Sequence, residues 1–117
     1  MNDLGREGEE LAAEFLRKKG YEILQKNYGR KSGELDIVAV RKNHLAFVEV
    51  KARGYEAYGG PLLAVTKSKQ NKIVDAAALY IKEKRPKFDT LTFDVITVLD
   101  GKIEHIENAF TPRRMTL

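Results

Sequence analysis

The chain has no cysteine and only two histidines among its 117 residues. Without thiols there is no disulfide, no thiolate nucleophile and no zinc finger, and two histidines leave little for a histidine-based metal cage. Any metal would be held mainly by oxygen, the ligand set that hard cations such as Mg²⁺ prefer. No apolar run approaches the ~18 residues of a membrane span. The stretch MNDLGREGEELAAEF is acidic and amphipathic and lacks the basic start and apolar centre of a signal peptide, so we expect an intracellular, cytoplasmic protein without a membrane partner. A strong excess of one charge sign is also missing. The 21 basic and 17 acidic residues leave +4, which alone points only weakly to nucleic acid.

What is present fits one domain over residues 1–117, with a core from about 4 to 110 and an unpatterned tail at 111–117. The apolar fraction is 43% and the charged fraction 32%, ordinary values for a folded soluble chain. Leu4, Leu11, Ala12, Phe15 and Leu16 recur at helical spacing as far as Lys19, and Gly20 is a natural stop. YEILQKN (21–27) reads as a strand, YGRKSG as a basic turn, and 34–40 with 45–51 as a hairpin. A Gly-rich loop, ARGYEAYGGP, follows. Thr66 is a plausible cap for a second helix that Pro86 must end, and LTFDVITV and KIEHIENA are strands joined at Asp100-Gly101, a strong hairpin signal. The order of helix, three strands, helix and two strands predicts an α/β domain with a mixed sheet.

The hairpin GELDIVAVRKNHLAFVEVK carries acids and a lysine where apolar residues would fold better. Alternation puts Glu49 and Lys51 on one face with Leu45 and Phe47. A turn of two or four residues sets Asp36 opposite Glu49 and Glu34 opposite Lys51; a three-residue loop breaks that register. Opposed residues hold their Cβ atoms roughly 4.5–5.5 Å apart, where two carboxylates repel. Protonation, the lysine or a cation would relieve them, and only the cation uses every residue. Magnesium held by carboxylates, with a lysine to assist a water, suits phosphodiester hydrolysis. Glu9 lies at the edge of the first helix's apolar stripe and reaches toward the sheet, whereas Glu10 points away. Gln70 shares the inward face of Ile73, Val74, Ala77 and Ile81 as its lone polar group, near where a sheet end would open, and is a candidate catalytic residue. Lys67, Lys69 and Lys72 crowd a helix start where the macrodipole is already positive, an arrangement that an external anion would relieve. Arg30, Lys31, Arg41, Lys42 and Arg53 flank the hairpin, and Tyr55 and Tyr58 are placed to stack on exposed bases.

Asp36 with twelve residues before Glu49-Val50-Lys51 resembles the PD-(D/E)XK nuclease motif. From about Gly5 to Phe110 the chain further resembles the YraN family, itself similar to archaeal Holliday junction resolvases. The stretches GREGEELAAEFLRKKGYEIL, GELDIVAV, FVEVKAR, YGGPLLAVTKSKQ and FDVITV carry this resemblance. It implies a restriction-endonuclease-like αβββαβ core with a mixed central sheet flanked by helices, Mg²⁺ or Mn²⁺ held by Asp36, Glu49 and the Val50 carbonyl, and Lys51 assisting the attacking water. It further implies a glutamate from the first helix at Glu9, a branched or structured DNA substrate, a role in repair or recombination, and a homodimer, because a four-way junction presents two symmetric scissile phosphates. Leu35 stands where the literal motif has proline.

Each feature also has a plainer reading. Asp36, Glu49 and Lys51 would form a salt bridge on a solvated face, Glu9 an exposed helix glutamate, Gln70 a hydrogen bond at the end of the core. The second helix's lysines would be a solvated face, Tyr55 and Tyr58 loop packing, His44 and His105 surface residues, and Asp94 a satisfied structural carboxylate. Three functions compete: a metal-dependent endonuclease, a catalytically silent nucleic-acid-binding module on the same scaffold, and a protein-interaction adaptor.

Overall fold

The local signals become seven elements in the computed structural model, which describes residues 3–30, 33–52 and 65–112. They are α1 (Asp3–Lys18), β1 (Glu22–Arg30), β2 (Gly33–Arg41), β3 (His44–Lys51), α2 (Lys67–Lys84), β4 (Thr90–Leu99) and β5 (Lys102–Phe110). Gly20 ends α1 at φ 93°, with Tyr21 N–H donating to the Leu16 carbonyl and Gly20 N–H to that of Arg17. This double bond around a left-handed residue satisfies carbonyls that the helix leaves open. Thr66 caps α2 by accepting from Lys69 N–H at 3.1 Å, and Arg85, just before Pro86, closes it in the left-handed region.

Two tight turns set the register. Lys42 and Asn43 both have positive φ, 48° and 59°, as do Asp100 and Gly101, at 49° and 77°. Consecutive left-handed residues match the twist of the flanking strands. The first turn pairs Arg41 with His44 and carries the ladder to Ile37 opposite Val48; the second starts from Leu99 opposite Lys102.

The five strands lie in the order β1-β2-β3-β4-β5, antiparallel except for the parallel pair β3–β4. Parallel neighbours need a crossover, and α2 lies within it. Alternation gives each sheet face its own core. Ile37, Ala39, Ala46, Val48, Ile96 and Val98 meet Ala12, Ala13 and Leu16 of α1. Val38, Leu45, Phe47, Phe93 and Val95 meet Ile73, Val74, Ala77 and Tyr80 of α2. The result is the expected mixed-sheet α/β domain with a helix on each face, consistent with a restriction-endonuclease-like core. Gly8 lets α1 approach closely, since a Cβ there would lie 3.3 Å from Ala52 Cβ and 3.9 Å from Val50 Cγ1. Among the described residues no helix is long and apolar enough to cross a membrane.

Candidate active site

The site begins where the β2–β3 ladder stops. Below Ile37 and Val48 the strands part, and the Asp36 carboxylate enters the gap, its Oδ2 accepting from Val50 N–H at 2.8 Å. The side chain thus replaces a strand carbonyl. In an extended strand the N–H and C=O of one residue point to the same edge, so the Val50 carbonyl faces this gap as well. On β1, Lys26 and Tyr28 pair with Ile37 and Leu35, and Asn27 between them takes φ 52°, opposite the point at which β2 bends. Leu35 packs with the α2-side cluster although Ile37 faces α1, which marks the bend at Asp36.

Glu49 lies on the α2 face with Leu45 and Phe47 and is 6% exposed. Lys51 and Lys69 both stand 3.6 Å from one oxygen, Glu49 Oε1. Burial pushes the Glu49 carboxyl up, the neighbouring Asp36 charge pushes it further, and the two lysines pull back without prevailing, so it rests at about 7. The Asp36 carboxyl is also raised, by burial first, against the opposing hydrogen bond from Val50 N–H and its contact with Glu49. Near neutral pH the two acids are therefore poised to share a proton. A divalent cation would remove that need. The donors present, two carboxylates and a strand carbonyl beside a gap, are all hard oxygens, and this set fits Mg²⁺ or Mn²⁺. Among the described residues no group of three or more acidic or histidine side chains converges on one point, so the carbonyl and water would complete the coordination.

The remaining expected residues fall out unevenly. Glu9 is half-buried within the sheet-facing arc of α1 formed by Gly8, Ala12, Ala13 and Leu16, level with the end of β3 but on the face opposite α2. Glu10 is exposed and turns to Lys26 of β1 at 3.9 Å. Gln70 commits its side-chain N–H to the Val65 carbonyl at 3.0 Å, bracing the start of α2. Lys67 and Lys72 are exposed, whereas Lys69, expected only as a nucleic-acid contact, joins the acid pair. Lys31, Arg53, Tyr55 and Tyr58 lie outside the described residues, as do the side chains of Arg30 and Glu34.

That the start of α2 would lie near Glu49 was open to inference, because a helix that crosses from β3 to β4 must start above the end of β3, but which of its lysines makes the contact is set by how α2 docks. One of the two histidines is a correction. His105 is no surface residue: its side chain is 3% exposed, with Nε2 2.8 Å from Asp94 Oδ2 and Nδ1 2.7 Å from Lys19 Nζ. His44 is half-buried between the hydroxyls of Thr90 and Thr92, at 2.7 and 2.9 Å. Asp94 is the satisfied structural carboxylate, bonded to His105 and to Asn108 N–H at 3.0 Å. Burial acts to raise its carboxyl but is outweighed by His105, Asn108 N–H and Thr92, which hold it below its ordinary value. The Asp100-Gly101 turn already set Asp94 and His105 diagonal on one face, which made their proximity legible but not their burial.

Comparison with known proteins places this sequence in a family. The model of the Uncharacterised protein family UPF0102 matches residues 8–98, a span that contains Glu9, Asp36, Glu49, Lys51 and Lys69. A UPF0102 protein of Desulfosudis oleivorans is 49% identical over 108 residues, covering 91% of this chain and 88% of its own. One from Syntrophomonas wolfei is 47% identical over 112 residues, covering 92% and 97%, and one from Thermodesulfovibrio yellowstonii is 45% identical over 108, covering 92% and 96%. The chain belongs to the UPF0102 family, the YraN family that its sequence resembles.

Proposed function

We propose that this protein is a metal-dependent endonuclease that hydrolyses phosphodiester bonds in branched or structured DNA, working as a homodimer. One observation carries the reading: a buried acid, Glu49, and a half-buried one, Asp36, are held against each other where the β2–β3 ladder opens, at a cost that serves no packing purpose. A fold released from chemistry would replace either acid with an amide or an apolar residue and gain stability. A sheet-end gap beside a helix start is also where open α/β sheets bind ligands.

Asp36, Glu49 and the Val50 carbonyl would hold Mg²⁺ or Mn²⁺, which when bound supplies Lewis acidity toward phosphate oxygen and lowers the pKa of nearby water. The Val50 N–H keeps the Asp36 carboxylate in its rotamer, so no reorganisation is needed when substrate arrives. Lys51, mostly buried, holds Glu49 and orients water toward phosphorus, donating hydrogen bonds. In the reaction a water oxygen bonds to phosphorus as the bond from phosphorus to one sugar oxygen breaks. One water proton ends on that sugar oxygen, and the other stays with or leaves the new terminal phosphate. Lys67 and Lys72, exposed on α2, contact the backbone of the DNA.

The test uses labelled four-way junction, flap and linear duplex with Mg²⁺ or Mn²⁺. The wild-type protein is expected to cut a branched substrate, and Glu49→Ala to cut it about 10³-fold more slowly, the scale of losing a charge-stabilising group. Absence of any cleavage, or equal cleavage by the variant, overturns the proposal. Sedimentation of the protein alone and with junction tests the dimer.

A further inference from the structure

Two ammonium groups on one carboxylate oxygen are more than a salt bridge requires. Lys51 comes from β3 itself, but Lys69 is brought from a separate element, and its placement is braced three times. Its own N–H donates to the Thr66 hydroxyl at 3.1 Å, Gln70 N–H to the Thr66 carbonyl at 2.8 Å, and the Gln70 side chain to the Val65 carbonyl at 3.0 Å. The Lys51 side chain is 19% exposed and the Lys69 side chain 42%, so Lys69 is the one of the two that stands between the buried acid and solvent. An ammonium has three donors, and one suffices for Glu49.

We infer that Lys69 is a catalytic residue of this centre: it donates to a non-bridging oxygen of the scissile phosphodiester and balances the charge that attack adds. The inference rests on the nuclease reading. Among the described residues, Asp36 and Glu49, both ionised, carry two negative charges, and Lys51 with Lys69 returns two positive ones. A divalent cation leaves the centre two positive charges in excess. A phosphodiester brings a single negative charge when it binds and gains a second as a water, passing one proton to solvent, bonds through its oxygen to phosphorus; the departing sugar oxygen then takes a proton back from solvent. With Lys69 the centre therefore matches the five-coordinate state; without it, the centre matches the resting substrate. Only charge matched to the reacting state accelerates the step. Lys67 and Lys72, two and three places away but turned to solvent, have no such position.

The experiment uses the full chain in two arms. In the first, NMR follows the lysine side-chain signals, with Lys69 assigned through Lys69→Arg, while Ca²⁺ and then dimethyl phosphate are added. The Lys69 signal is expected to move with dimethyl phosphate in the calcium-loaded protein while those of Lys67 and Lys72 stay in place. In the second, Lys69→Ala is expected to lower kcat on a cleavable junction by about 10²-fold. Its junction affinity in Ca²⁺ should weaken no more than that of Lys67→Ala, and Lys69→Arg should restore most of kcat. A calcium-loaded protein whose Lys69 signal ignores dimethyl phosphate, or a Lys69→Ala loss confined to affinity, overturns the inference and leaves the nuclease reading standing. Failure of the wild-type protein to take up Ca²⁺ or to cleave any substrate overturns both.

Discussion

Asp36→Asn should make this protein more stable, and the gain should appear only at higher pH. The folded state holds the Glu49 proton with a pKa of about 7 against 4.5 for an ordinary glutamate. The stability that Glu49 contributes is therefore greatest below about pH 4.5 and declines as the pH climbs through about 7, because the native state then binds more protons at this group than the unfolded chain. At 1.36 kcal/mol per unit the loss is on the order of 3 kcal/mol, and the raised Asp36 carboxyl acts in the same direction. Asparagine keeps an oxygen to accept from Val50 N–H and turns an amide N–H toward Glu49. It removes the neighbouring charge but not the burial, so about 1–2 kcal/mol should return at pH 8, and nearly none at pH 5. With a urea m-value of about 1–1.5 kcal/mol/M, the midpoint in EDTA should rise by about 1 M at pH 8. Asp94 does not confuse the measurement, since its lowered pKa confines its effect to pH below about 4. Manganese at pH 8 should raise the wild-type midpoint and leave that of Asp36→Asn unmoved. Equal midpoints at pH 8, or a wild-type protein that gains stability from pH 5 to 8, would refute the strained acid pair.

Phe47 is 1% exposed and stacks on Phe93 at 5.5 Å between centroids, so Phe47→Ala should cost about 3–5 kcal/mol in urea denaturation. His105→Ala removes one of the side-chain partners of the buried Asp94 carboxylate and should cost about 2–4 kcal/mol at pH 7, part of which the added change Asp94→Asn should recover. Replacing Lys67 and Lys72 together by alanine should make the salt dependence of junction binding shallower by about two phosphate contacts; an unchanged slope of log Kd against log salt would remove α2 from the DNA-binding surface.

Local chemistry determined most of this molecule in advance. Gly20, Thr66 and Pro86 bounded the helices, and the pairs Lys42-Asn43 and Asp100-Gly101 set two hairpin registers, because left-handed turns and capping hydroxyls act over a few residues. Alternation from the first of these turns was enough to predict that Asp36 and Glu49 would meet. It could not reveal that the ladder opens there, since the bend follows from Asp36 taking the Val50 N–H, a choice made between strands. The third dimension also decided which lysine matters. Lys67, Lys69 and Lys72 are alike as a charge run, and only docking of α2 on the Phe47 face brings one of them onto Glu49. It likewise turned His105 inward, because an imidazole is stable in an apolar layer once a carboxylate and an ammonium from distant parts of the chain close around its two nitrogens. Elements and their ends are properties of neighbouring residues, whereas a charge's neighbours depend on which faces pack.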